Sequence, residues 1–473
     1  MDIENKIAHR FKSSDSNLYA SHEKVYAREV VGPFQNLRKT MMFLLLGLYY
    51  GMAWINWDGH QAVLFDLPAR QFHIFWLTFW PQDFFFLAWL LIMAALSLFF
   101  FTALAGRLWC GYACPQTVWT EAFVWMERLI EGDRGAQKKL EKSPWNVEKI
   151  RKRGLKQLAW LSFSLWTGFT LVGYFTPIRE LGASVIDTLS GNYALGPWET
   201  FWILFYGLAT YGNSGYLREQ VCLYMCPYAR FQSAMFDKDT LIISYDTERG
   251  EPRSKGKKRS DTENADIKPI GDCIDCTLCV QVCPTGIDIR EGLQYECIGC
   301  AACIDACDQV MEKVDKPKGL IRYTTEHSLE HEKTKLLRPR IIVYACLLSA
   351  LFIAFITAIA MRSPLAVDIL RDRGVLYRVL DAEHIQNVYN FKLMNKGKTP
   401  QTYTIQVKDL NAEVSFDDAL YVSPGDVGNL PVTLTVKASE LSKAIQSIEF
   451  IISTEVAGET ISVSEKSRFF SPQ

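Results

Sequence analysis

Between Phe84 and Ala105 the chain carries no charged side chain. A mostly apolar run of this length can cross a bilayer as one helix, for which about 17 to 25 residues are enough. Within hydrocarbon every backbone N–H and C=O has to be paired inside the segment, so the run is constrained to be helical. Four further apolar runs occupy residues 40–55, 157–175, 198–211 and 341–361, the fourth run along the chain (198–211) being short for a crossing. The 473-residue average, a net charge of -1 and a mean hydropathy of +0.01, conceals them, because the charged residues lie between the runs. Balanced charge excludes a nucleic-acid binder, and the apolar content excludes disorder. The first run begins about forty residues in, behind a polar leader and with no small-residue cleavage site after it, so it reads as an anchor and not a signal peptide.

Lysine and arginine in the short loops set the expected orientation. Lys6, Arg10, Lys12, Lys24, Arg28, Arg38 and Lys39 precede the first run, whereas the loop 56–83 holds only Arg70. The segment 107–156 is densely basic, and the loop 176–197 holds only Arg179. Residues 213–340 include Arg253, Lys255, Lys257, Lys258 and Arg259, a stretch that reads as a solvated loop. The expected organisation is therefore a cytoplasmic segment 1–39, a four-helix membrane domain 40–240, a cytoplasmic domain 241–340, a fifth membrane helix 341–361 and an external domain 362–473. In that last domain, residues 388–394, 402–407, 430–436 and 447–453 have the β-branched or alternating pattern of strands, separated by turn signals at Asn395-Lys396-Gly397, Ser423-Pro424-Gly425 and Gly458. An immunoglobulin-like β-sandwich of about a hundred residues fits, with a docking or scaffolding role.

Twelve of the thirteen cysteines fall into short clusters, a pattern of metal or redox chemistry and not of a disulfide framework. Cys273, Cys276, Cys279 and Cys283 form C-x2-C-x2-C-x3-C followed by Pro284, and Cys297, Cys300, Cys303 and Cys307 repeat the spacing. This is the bacterial ferredoxin run, in which three close cysteines hold one cubane and the fourth reaches across to the other. Cys273, Cys276, Cys279 and Cys307 would then bind one 4Fe-4S cluster, and Cys297, Cys300, Cys303 and Cys283 the second. Zinc is the competing reading, although zinc motifs rarely show three cysteines at two-residue gaps and then a fourth. Asp308 stands where a proline would follow Cys307, which leaves a single-cluster variant open. Ile274, Val280, Ile287, Ile289 and Ile298 supply apolar packing around such a module.

A different pair of motifs follows the second and fourth runs: Cys110-Gly111-Tyr112-Ala113-Cys114-Pro115 and Cys222-Leu223-Tyr224-Met225-Cys226-Pro227, with Arg107 and Arg218 just ahead. Both read C-x-Y-x-C-P, an internal repeat. If the helix continues, i, i+4 spacing puts both thiols of a pair on one face. Two such faces brought together would make a four-thiol cluster at the membrane boundary, suited to copper or to a dithiol relay. Cys346, alone in the fifth run, reads as a residue that packs helices. His60 and His73 lie near Trp76 and Trp80 in the first loop, where a haem, quinone or metal contact competes with an ordinary interfacial role. No C-x-x-C-H, G-x-G-x-x-G or Walker A sequence occurs, so a protein or quinol is the expected reductant.

Together with the stretch from Tyr245-Asp246 to Arg249-Gly250-Glu251-Pro252-Arg253, these motifs in this order, ahead of a β tail, resemble the CcoG (FixG, RdxA) family of cytochrome c oxidase accessory proteins over nearly the full length. The resemblance implies a bacterial inner-membrane protein that reduces Cu(II) to Cu(I) for assembly of a cbb3-type oxidase. It also implies two 4Fe-4S clusters, with Cys110, Cys114, Cys222 and Cys226 as copper-site and catalytic candidates. Copper chaperones or transporters and oxidase assembly factors are the implied partners, with an unidentified electron donor, and a homodimer is compatible with it. Two alternatives stand beside this reading. One is a quinol-linked membrane electron bridge without copper as substrate, and the other is a non-catalytic, redox-sensing assembly scaffold.

Overall fold

The computed structural model describes residues 24–57, 59–254, 270–363, 365–372, 374–381, 383–397, 399–416, 421–441, 443–456 and 459–472. Lys6, Arg10, Lys12, the basic residues Lys255, Lys257, Lys258 and Arg259, and the turn glycine Gly458 lie outside the described residues. The chain divides into two compact units, Met1–Leu351 and Phe352–Gln473.

The first unit is built on long helices: α1 (Pro33–Met52), α2 (Phe84–Ala105), α3 (Pro115–Glu131), α4 (Val147–Val172) and α5 (Pro197–Thr210). A helix of the cysteine-rich region, α6 (Ala302–Lys313), and α7 (Pro339–Ala360), which runs across the boundary between the units, follow. Prolines open α1, α3 and α5, where their missing N–H would have no partner in any case. Each of the five apolar runs falls on a helix. Among the described residues, two helical stretches combine the length and apolarity of a membrane span: Pro81–Ala105, which includes α2, and α7. The other three differ for visible reasons. α1 starts back in the basic segment, α4 carries Lys149, Lys152 and Lys156 in its first turns, and α5 has 14 residues. At 1.5 Å per residue α5 covers about 21 Å, less than the hydrocarbon thickness. α4 and α5 pack closely because Gly168 has no side chain: a Cβ there would stand 2.8 Å from the Gly207 nitrogen and 3.3 Å from its Cα.

The first loop is not irregular. Asn56–Trp57 pairs with His60–Gln61, and Val63–Asp66, Gln71–Ile74 and Leu77–Phe79 form a three-stranded antiparallel sheet. Gln61 seats this cap on the end of α4, donating to the Gly173 carbonyl at 2.7 Å and accepting from the Ile178 N–H at 3.0 Å. The strands are too short to give a readable period-two pattern.

The cysteine-rich region pairs Ile242–Tyr245 with Ile321–Thr324 and packs Ile289, Ile304, Val310, Met311 and Leu320 beneath them. Ile274 and Val280 lie against this core, and Ile298 joins a neighbouring cluster with Val30, Val282 and Cys300. The amino-terminal end of α1 is fastened to it: the Phe34 and Gln35 N–H groups donate to the Asp305 carboxylate of α6 at 3.3 and 2.7 Å. A carboxylate placed there satisfies donors that α1 leaves unpaired.

The second unit is a β-sandwich. One sheet orders Glu413–Ser415, Val427–Lys437, His384–Asn395 and Leu365–Arg371, with Arg378–Val379 also on His384–Asn395. The other orders Tyr421–Val422, Gln401–Lys408, Ile445–Val456 and Glu459–Phe470. Tyr389, Phe391, Val432, Leu434, Phe450 and Ile452 are buried between them. Three short strands (Arg378–Val379, Glu413–Ser415 and Tyr421–Val422) and two longer ones, Leu365–Arg371 and Glu459–Phe470, go beyond the sequence expectation. The polar outer residues of the last, such as Lys466 and Arg468, mask its inward Val463 and Phe469.

Candidate functional site

The two ferredoxin-type loops repeat a backbone conformation as well as a spacing. Asp275 and Thr277 in the first, Gly299 and Ala301 in the second, all have positive φ (50°, 58°, 70° and 60°). They stand two and four residues after Cys273 and Cys297, respectively. Left-handed conformations cost about 1–2 kcal/mol at a residue with a Cβ, and strain of this kind concentrates where geometry serves a ligand. Here it turns successive cysteines toward a common centre.

Cys273, Cys276, Cys279 and Cys307 line one cavity, with Tyr245, Arg290 and Leu320 in its wall. Cys283, Cys297, Cys300 and Cys303 line a second, which Ile287 and Ile289 also border and which Cys279 touches. The fourth cysteine of each run therefore sits with the other run's three. Asp308 has a structural reason: it lies within α6, where proline would break the helix, and its carboxylate accepts from the Gly319 N–H at 2.8 Å.

Burial pushes the Cys307 thiol up to about 12, and Cys279, Asp308 and Cys273 add to it. Burial likewise pushes Cys297 up to about 12 and Cys279 to about 11. Thiols this hard to ionise are unfit as free nucleophiles, whereas a coordinating metal removes the proton outright. Among the described residues no three His, Cys, Asp or Glu side chains meet at a single-ion position, and the sulfurs ring hollows instead. That donor set fits a cubane held by four thiolates. Two 4Fe-4S clusters, when bound, supply one-electron carriers there.

The C-x-Y-x-C-P motifs are not continuous helices. The short helix Leu108–Tyr112 stops, and Cys114 is extended (φ -61°, ψ 129°) because Pro115 follows it; Cys226 before Pro227 is extended likewise (φ -79°, ψ 111°). The second motif also rides on wide π-type turns, Tyr211–Leu217 and Val221–Met225. The i, i+4 expectation is corrected on this point: each pair spans a turn into a new helix. The four thiols nonetheless act on one another electrostatically, although no three of them meet at a single-ion position. Burial pushes Cys110 up to about 11, with Cys114 and Cys226 among the further causes. It pushes Cys222 to about 12, with Cys114, Cys110 and Cys226 behind it. Cys110 Sγ donates to Gln232 Oε1 at 3.3 Å.

Residues that the motif search passed over bring the two halves together. Gln116, just after Cys114-Pro115, donates to the carbonyls of Asn213 and Arg218, both at 3.0 Å, ahead of the second motif. Tyr228, just after Cys226-Pro227, donates to the Leu98 carbonyl of α2 at 3.0 Å. Their place after each Cys-Pro was the available signal. The two arginines ahead of the motifs differ in use. Arg107 donates to the carbonyls of Tyr295, of Cys297 at 2.8 Å and of Ala229 at 3.0 Å. Arg218 pairs at 2.7 Å with the buried Glu127, which Lys24 also meets at 2.5 Å and Lys156 at 3.4 Å.

One contact of motif and ferredoxin-type loop is backbone on backbone. A Cβ at Gly111 would stand 2.6 Å from the Gly299 oxygen and 3.2 Å from the Cys300 Cα. Tyr323 donates to the same Gly299 oxygen at 2.7 Å, and its hydroxyl lies 3.2 Å from that of Tyr112. A cavity of about 70 Å³ next to this contact is lined by Cys222, Gln116, Arg38 and Arg218 on one side and by Pro284 and Ile298 on the other. Cys346 is exposed on α7 and packs no helices together, contrary to expectation. His60 and His73 meet in the cap, ring centroids 4.3 Å apart.

Paired ferredoxin loops set against apolar helices make a carrier of single electrons: the chain is an iron–sulfur electron-transfer protein. Residues 217–326 match the 4Fe-4S dicluster domain family, 85–132 a 4Fe-4S binding domain, and 355–472 the IG-like fold at the C-terminal of FixG. Protein RdxB of Cereibacter sphaeroides is 42% identical over 436 residues, 89% of each chain. Nitrogen fixation protein FixG of Rhizobium meliloti is 38% identical over 432 residues, 84% of this chain and 81% of that one. The crystal structure of a FixG-related protein from Vibrio parahaemolyticus covers 24% of this chain and 100% of its own, at 36% identity and a TM-score of 0.21. The chain belongs to the FixG/RdxA family.

Proposed function

We propose that the protein is a cupric reductase, which passes one electron at a time from its ferredoxin-like region to copper held by Cys110, Cys114, Cys222 and Cys226, for assembly of a cbb3-type oxidase. The observation that carries this reading is the Gly111–Gly299 contact, which sets a soft-ligand motif directly on the Cys297–Cys300 loop. The reaction balances as Cu(II) plus one electron giving Cu(I), and thiolates favour the product because Cu(I) is the softer ion. Arg107 holds the first motif to that loop, Gln116 ties the first motif to the backbone just ahead of the second, and Tyr228 ties the second to α2. The accompanying topology has five crossings, with the amino terminus and the cluster-bearing region in the bacterial cytoplasm and the sandwich outside. Copper chaperones or transporters and oxidase assembly factors are the proposed partners.

Anaerobic protein with reduced clusters should reduce Cu(II), and Cys110→Ser with Cys222→Ser should abolish this while the cluster absorbance of the ferredoxin-like region persists. Unchanged copper reduction in that variant would sink the assignment. A second reading has a specific support: residues 85–132 match a 4Fe-4S binding domain although Cys110 and Cys114 are the only cysteines among them. The four thiols would then hold a further cubane. In that case the same variant loses one cluster's iron, whereas on the copper reading its iron content is unchanged.

A further inference from the structure

We propose that His60 and His73 form a second copper-binding station, at the opposite end of α2 from the thiols. The role of this station in copper handling rests on the cupric-reductase reading, whereas its ability to bind the ion does not. The two imidazoles come from different small sheets of the cap and face each other, with ring centroids 4.3 Å apart and an interplanar angle of 27°. An interfacial belt histidine presents its ring singly to headgroups; these two stack, their in-plane lone pairs lying in nearly parallel planes, so the rings turn about their χ angles to share one ion.

The hydrogen bonds decide which nitrogens remain available. His60 Nδ1 lies 3.0 Å from the Gln61 carbonyl oxygen. A carbonyl only accepts, so Nδ1 carries the proton and Nε2 the lone pair. His73 Nδ1 lies 3.0 Å from Thr78 Oγ1, its direct partner across the antiparallel pair, and that hydroxyl can accept in the same way. A ring N–H given to a backbone carbonyl or other oxygen, with the second nitrogen left as base, is the outer-shell arrangement of metal-ligating histidines. Asp66 adds negative charge nearby. It lies two residues from Leu64, which pairs with His73, so Asp66 and His73 share a face of the hairpin. Neutral imidazole suits copper, which heads the divalent affinity order.

The cap is itself rigidly held, since Gln61, next to His60, bonds to Gly173 and Ile178. His73 precedes α2 and Cys110 follows it, and the 22 residues of α2 extend about 33 Å. The station therefore handles the ion at a distance from the electron-transfer contact.

The test is titration of the detergent-solubilised full chain with Cu(II), read by EPR for coupling to imidazole nitrogen. A background of Cys110→Ser, Cys114→Ser, Cys222→Ser and Cys226→Ser removes the thiols. One copper with imidazole coupling should persist in that background. It should weaken by about 10- to 100-fold, or vanish, in His60→Asn and in His73→Asn. Since His73 is buried and its replacement risks misfolding, the half-buried His60 carries the decisive variant. Absence of imidazole-coupled copper, or its survival unchanged in His60→Asn, overturns the proposal. Copper reduction measured alongside separates the two ideas: loss in the cysteine variant with imidazole copper retained supports both, and retained reduction there refutes only the thiol assignment.

Discussion

Replacing Gly111 by alanine isolates the contact on which the proposed electron delivery to copper depends. Gly111 lies in the short helix Leu108–Tyr112, so alanine suits its backbone and the effect comes from the added methyl. The three nearest atoms to that methyl, at 2.6, 2.9 and 3.2 Å, all belong to the backbone of Gly299 and Cys300, so no side chain can swing away. Restoring ordinary separation from the Gly299 oxygen means opening the gap by about 0.8 Å. Overpacking of this kind costs about 1–3 kcal/mol, tolerable for a domain also held by Asp305 on α1 and Arg107 on Cys297. Electron tunnelling weakens with distance far more gently than bond-making does, so the rate of cluster reoxidation by Cu(II) should fall by a few-fold. Stopped-flow mixing of pre-reduced protein with Cu(II) measures it, with a small outer-sphere oxidant that attacks the clusters directly as control. Slowing with copper alone fits the route. Equal rates for Gly111→Ala and the parent with Cu(II), in protein carrying its full iron, refute the reasoning. Gly299→Ala is a poorer probe, because φ of 70° there strains any alanine regardless of the contact.

The remaining predictions concern what holds the site in place. Asp305→Ala removes the acceptor of the Phe34 and Gln35 N–H groups and should lower stability by about 0.5–2 kcal/mol, seen as an earlier thermal loss of tryptophan fluorescence. Burial raises the Glu127 carboxyl, but Arg218, Lys24 and Lys156 outweigh it and hold the group down to about 2. Against an ordinary value of about 4.3, this corresponds to about 3 kcal/mol of stabilisation. A depressed acid contributes fully above its unfolded value and loses its contribution as pH falls through the folded one. The stability gap between the parent and Glu127→Gln should therefore be widest and constant above about pH 4.3 and close progressively toward pH 2. A gap that keeps its size through that window would show that the ion pairs carry no such weight.

The ferredoxin region was legible because its information is local. Spacing within each cysteine run prescribes a loop, and positive φ at the same two places in both runs is the structural form of that spacing. The apolar run 84–105 coincides with α2 for a similar reason, since only a helix satisfies its backbone in an apolar setting. Sequence reasoning did less well where a single residue overrides a period. Pro115 and Pro227 break the helix that the i, i+4 spacing invited, and the short strands of the cap carry too few residues to alternate visibly.

By itself, then, the sequence determined the cluster-type cysteine runs, the repeated thiol motif and the helical character of the apolar runs, all matters of spacing within about twenty residues. Tertiary structure alone decided which of these meet: Gly111 with Gly299, Gln116 with Arg218, His60 with His73, and Arg218 with Glu127. Except for the histidines, those partners are about a hundred residues or more apart along the chain. Contacts at that range are chosen by packing, in which small residues let backbones touch and buried charges must find one another, and a linear pattern records neither condition.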